Sequence, residues 1–185
     1  MLALAVLWSV PLRAEDAPPA VAVPVTPVIS LEEDIIKSMM IFCLPPIIKN
    51  FDAATLPVTF KLREMPAENA QLFDPTGGRV FASENYPDNI LIIAGKNGAC
   101  SVVARSFNTE KFWGEVDKMF GPGTPFSLLA EKSIPGGRQK DYEANYAGPT
   151  ALFISARDAP QDGMLQGILT YARVGGQATA IPAKP

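Results

Sequence analysis

The sequence predicts an α+β domain: an antiparallel sheet of about six or seven strands with one helix ahead of it, one helix inserted between its halves, and a single disulfide. Three observations carry that prediction. A capped apolar stripe at helical spacing opens the body at Ser30. From Gly77 the apolar period switches to two. A second helical stripe, beginning at Asn108, interrupts the alternating segments.

The first helix has a capping box, Ser30-Leu31-Glu32-Glu33, in which the hydroxyl and the carboxylate three residues on satisfy free N–H groups. Leu31, Ile35, Ile36, Met39, Met40 and Phe42 then recur near helical spacing. The helix must stop before Pro45-Pro46, so Cys43 lies in its last turn. Met39 and Met40 read as core packing rather than as a soft binding surface. Val58–Leu62 alternates as a short strand, and Ala67–Phe73, after Pro66, reads as a short helix.

Gly77-Gly78 opens a strand over Arg79–Ser83. Ile90–Ala94 is a strongly apolar strand, and Gly95-Lys96-Asn97-Gly98 turns the chain into a returning strand over Ala99–Arg105. Asn108 caps the inserted helix, whose stripe is Phe112, Trp113, Val116, Met119 and Phe120, and Gly121 ends it. Phe126–Ile134 is a strand and Pro135-Gly136-Gly137-Arg138 a tight turn. Over Gln139–Ala147, Tyr142, Ala144 and Tyr146 share one face, opposite Asp141, Glu143 and Asn145. Thr150–Arg157 follows. Met164–Val174 is either a last strand or a short helix, with Thr170 and Tyr171 favouring the strand. The folded domain is thus expected over 31–175, with a tail over 176–185.

The segment ahead of the domain reads as targeting. Met1–Leu12 is an apolar run too short to span a bilayer, which needs about 20 residues. It suits the core of a secretory signal peptide over 1–14, cleaved after Ala14, although no basic residue precedes it. Residues 15–30 carry Pro18, Pro19, Pro24 and Pro27 among small residues, the composition of an extended linker. No transmembrane segment is expected in the mature chain, and the location expected is periplasmic or secreted. In that setting the only two cysteines, Cys43 and Cys100, read as one structural disulfide. The bridge would close a loop of about 58 residues and stabilise the fold by at most about 4 kcal/mol.

Composition excludes much chemistry. Hydrophobic residues are 48% and charged residues 19% of the 185, so the chain is neither disordered nor a membrane bundle by composition. A net charge of −3 argues against nucleic acid as a partner. With no histidine there is no Ser-His-Asp triad or Cys-His pair, and two cysteines alone cannot hold a zinc ion. No phosphate-binding or dinucleotide-binding glycine motif occurs. No catalytic, cofactor-binding or metal-ligating residue is therefore singled out, and no cofactor is expected.

One resemblance rests on the leading helix that ends in a cysteine and on Gly98-Ala99-Cys100-Ser101-Val102-Val103-Ala104-Arg105. This pattern resembles a group of uncharacterised proteobacterial periplasmic proteins with one Cys in a leading helix and one in a G-x-C-x-V-x-A strand. The resemblance covers about Leu31 to Val174 and implies export, one disulfide and an α+β fold. That group often carries a Trp just before the first hairpin, where Val80-Phe81-Ala82 stands here. It has no established activity, so no functional residue carries over.

Three constellations remain. Asp141 and Glu143, two residues apart on a strand, are the pair a carboxylate-based envelope hydrolase would need, against the plainer reading of a solvated sheet face. Gly136-Gly137-Arg138-Gln139-Lys140 is an anion-binding turn or simply an exposed one. Phe112 and Trp113 point about 100° apart on a helix, so one faces the core and the other is the leading interface candidate if it is exposed. The expectation from these readings is an exported binding or accessory protein of the bacterial envelope, its partner a protein or another envelope component. The alternative is the hydrolase.

Overall fold

In the computed structural model, residues 29–45, 62–145, 149–159 and 165–173 are described. The expected signal peptide, most of the linker, most of Val58–Leu62 and the C-terminal tail lie outside them. Helix α1 (Leu31–Ser38) begins where the capping pattern places it, with Ser30 Oγ accepting the Glu33 N–H at 3.2 Å. The helical run then widens into a π-helical turn over Met39–Cys43, closed by the Leu44 N–H on the Met39 carbonyl. That turn holds Cys43 in its disulfide with Cys100, Cα to Cα 5.2 Å, and both cysteines are buried.

The sheet has eight strands, not six or seven. They are β1 (Arg63–Glu64), β2 (Arg79–Ala82), β3 (Ile90–Ala94), β4 (Cys100–Ala104), β5 (Phe126–Ile134), β6 (Gly137–Asn145), β7 (Pro149–Arg157) and β8 (Gly167–Arg173). Two segments account for the difference. The last ambiguous stretch is a strand, β8. The first strand is the two-residue β1, too short to leave a periodicity. Helix α2 (Ala67–Ala70) lies between β1 and β2, and helix α3 (Thr109–Phe120) between β4 and β5.

The order across the sheet is β1-β2-β3-β4-β8-β7-β6-β5, and every neighbouring pair is antiparallel. The topology is a helix followed by a four-stranded meander, then a second helix followed by a second meander. The two last strands, β4 and β8, meet at the centre, from Cys100↔Tyr171 to Ala104↔Gly167.

The register fixes the faces. Phe81, Ile92, Val102, Leu169 and Ile154 form one cross-strand row. They face α1, α3 and the π turn in the main core, with Ile35, Ile36, Phe112, Trp113, Val116 and Phe120. A second cluster, Ala70, Val80, Ala82, Leu91, Ile93 and Val103, lies on the opposite face of the first meander, with Met65 and Phe73 packed against it. Asp74 holds the chain entering β2. It is buried, and it accepts the Thr76 N–H and hydroxyl through Oδ1 and the Gly78 N–H through Oδ2. A Cβ at Gly78 would stand 2.1 Å from that Oδ2, so the turn closes only on glycine.

Candidate functional site

Alternation along the first meander builds a cleft on the α2 side of the sheet. Arg63 pairs with Ala82, Ala82 with Leu91, and Leu91 with Val103. These residues share a face, and Arg105, two beyond Val103, continues it. The row carries an arginine at its edge strand and an arginine just past its fourth strand, with a buried apolar floor between them. The cleft has a volume of about 520 Å³; Arg63, Met65, Asn69, Phe73, Leu91 and Arg105 contribute to its walls, and Asp88 also lines it.

Arg105 is held by its backbone. Its N–H donates to the Asn89 carbonyl at 2.9 Å, and its carbonyl accepts from Asn89 Nδ2 at 3.2 Å. One residue on, Ser106 has a φ of 51°, in the left-handed region. Phe107 is then fixed by Gln166, whose Oε1 accepts its N–H at 2.8 Å and whose Nε2 donates to its carbonyl at 3.0 Å. From this clamped segment the Arg105 guanidinium reaches over the Phe73 ring, 5.8 Å from its centroid.

The charges do not cancel within the cleft. Glu64 is engaged with Arg79, which donates from Nε and a terminal nitrogen to both carboxylate oxygens at 2.7 Å. Those hydrogen bonds hold the Glu64 carboxyl below its ordinary range. Among the described residues, neither Arg63 nor Arg105 has a carboxylate within ion-pair distance, and Asp88 has no cation there. Glu64 also lines the cleft, and with its charge taken up by Arg79, two guanidiniums face the carboxylate of Asp88 among the described residues. Among the described residues no group of three His, Cys, Asp or Glu side chains is placed to hold a metal ion.

The residues singled out in the sequence lie elsewhere. Phe112 and Trp113 are both buried, at 0% and 2% exposure, so the interface role expected of an exposed ring has no exposed ring to carry it. The reason is that the helix is covered on two sides. Phe112 packs on Phe107, centroids 4.8 Å apart, while Arg138 and Lys140 from β6 lie over the Trp113 ring at 4.6 and 5.5 Å. Met119, expected in the apolar stripe, is 37% exposed instead.

The same packing removes the anion-binding turn. Arg138 is drawn to Trp113 and Glu131, and Lys140 to Asp117 at 2.6 Å, so the basic side chains do not converge on an open loop. Asp141 is buried, with Lys132 on Oδ2 at 2.7 Å and Gln139 on Oδ1, whereas Glu143 is exposed. Asp141 serves as a hydrogen-bond acceptor in the sheet.

Sequence reading missed Arg63 and Arg105 because they are 42 residues apart in the chain and only the strand register joins them. The one local signal was the alternation Ser101-Val103-Arg105, which ends an apolar strand face on a cation. No family model, curated protein or solved structure matches the chain.

Proposed function

We propose that this chain is an exported binding or accessory protein of the bacterial envelope and that the cleft beside β1–β4 is its binding surface. The observation that carries the binding part is the pair of guanidiniums, on Arg63 and Arg105, without acid partners among the described residues and set over an apolar floor. Their donors are free of carboxylates among the described residues and match the paired oxygens of an anionic group. Export is supported by the Cys43–Cys100 disulfide, since such bridges persist in oxidising compartments, and by the apolar leader at Met1–Leu12. No helix among the described residues is long and apolar enough to cross a membrane. The hydrolase alternative has no comparable support, because Asp141 is already engaged by Lys132 and Gln139.

Intact mass of the protein taken from its native host, with and without reduction before thiol alkylation, tests export. The expected mass is that of a chain starting near Glu15, with thiols that react only after reduction. A retained Met1–Ala14 segment with both thiols reacting directly in denaturant overturns the reading.

A further inference from the structure

The cleft has a definite chemical preference. Its floor is aliphatic and aromatic: Ala82 and Leu91 are buried in the sheet, with Met65 and Phe73 packed beside them. Three interstrand steps across the sheet and two residues along it, about 16 Å, separate the Arg63 and Arg105 backbones. Two extended arginine side chains can close most of that span from opposite walls. Guanidinium is planar and always charged, and its donors match the paired oxygens of a carboxylate or phosphate. Arg105 needs little reorganisation, since Asn89 grips its backbone on both sides and Phe73 supports its guanidinium.

We propose that the cleft binds an amphiphile with an oxyanion head, carboxylate or phosphate, and an aliphatic tail. The head lies between Arg63 and Arg105, and the tail covers Leu91, Met65 and Phe73. A cationic ligand is disfavoured because Arg79 already holds Glu64, which leaves two guanidiniums facing the carboxylate of Asp88. This proposal rests on the reading of the cleft as the binding surface and is independent of whether the chain is exported.

The test is calorimetric titration of the full, disulfide-bonded chain with decanoate, decyl phosphate, decan-1-ol, decylammonium and butyrate, each below its micellar concentration. Decanoate, decyl phosphate or both should saturate one site, and their ratio distinguishes a fatty-acid head from a phosphorylated one. Decan-1-ol and decylammonium should not saturate. Butyrate, with the same head and less apolar surface, should bind at least about tenfold more weakly than decanoate. R63Q and R105Q should each weaken binding about tenfold, while K96Q, at the tip of the β3–β4 hairpin, should leave it unchanged. Arg63 is exposed and Arg105 half-buried, so these variants should fold, and an unchanged melting temperature confirms it. The proposal is overturned if neither anion saturates, if decan-1-ol matches them, if butyrate matches decanoate, or if R63Q/R105Q binds as tightly as the parent. Each of those results leaves the mass measurement free to decide export.

Discussion

Buried acids on the first helix show how a single residue can tie elements together. Asp34 is 6% exposed, and its carboxylate accepts Ser83 Oγ at 3.0 Å and Asn85 Nδ2 at 3.2 Å, joining α1 to the end of β2. Asp34→Ala leaves the buried Ser83 hydroxyl unsatisfied and should lower stability by about 1–3 kcal/mol, read from the shift in denaturant midpoint. Glu32 does the same toward α3, accepting the Asn108 N–H at 2.8 Å. Both carboxylates lie in the first turn of α1, and nothing local in the sequence says which side of the helix another element will cover. Tyr142 gives a pH signature. Burial pushes its hydroxyl up to about 12, with Asp117 and Glu131 adding to the rise and Arg138 opposing it. The folded state then holds this proton more tightly than the unfolded chain, where the group titrates near about 10. The resulting stabilisation is complete below pH ~10 and is lost as the pH rises toward ~12. Thermal melts across that window should fall more steeply for the parent than for Tyr142→Phe. Superimposable profiles would remove burial of the hydroxyl as the cause.

Among the elements, those with a cap, a turn and a long stripe were legible, and those defined by their neighbours were not. The α1 start, α3 between Asn108 and Gly121, and the β5–β6 turn all stand where local chemistry placed them. Gly136, with φ 66° after Pro135, supplies the left-handed position that turn requires. The π turn over Met39–Cys43 has no such local signature; its apolar residues fit an α-helix equally well. The cleft was illegible for the same reason, since its two arginines share a face only through the pairings of four strands. The disulfide was legible from the count and the expected compartment. It closes 57 residues of separation and fastens the α1–π unit to β4. Its removal, as C43S/C100S, should lower stability by up to about 4 kcal/mol, read as an earlier denaturant midpoint. A midpoint unchanged from the parent would mean that core packing alone seats the helix.

At the scale of the whole molecule, a helix and four-stranded meander occurs twice, and the halves meet along β4 and β8. No internal repeat is visible in the sequence, because the two meanders use different residues on corresponding faces and only the path of the chain repeats. The junction depends on Gln166, which is 2% exposed. Its backbone N–H donates to the Ala104 carbonyl at 2.9 Å, and its carbonyl accepts the Arg157 N–H at 2.8 Å. Its side chain brackets Phe107 and also donates to Thr109 Oγ1 at 3.0 Å. One residue therefore fastens the end of β4, the entry to α3, the end of β7 and the approach to β8. Beside it, a Cβ on Gly167 would stand 2.7 Å from the Phe107 ring, so that ring packs directly on bare backbone at the start of β8. Gln166→Ala removes acceptor and donor together from a buried site and should lower stability by about 1–3 kcal/mol. Hydrogen exchange discriminates a junction from an ordinary polar contact. If Gln166 couples the halves, Gln166→Ala should speed exchange at the β4–β8 ladder and at the α3 N-terminus together, ahead of the β2–β3 and β6–β7 ladders. Acceleration confined to the Phe107 amide would make Gln166 a local clamp on the Arg105–Phe107 segment, and the two meanders would then be held by the apolar core and the β4–β8 ladder alone.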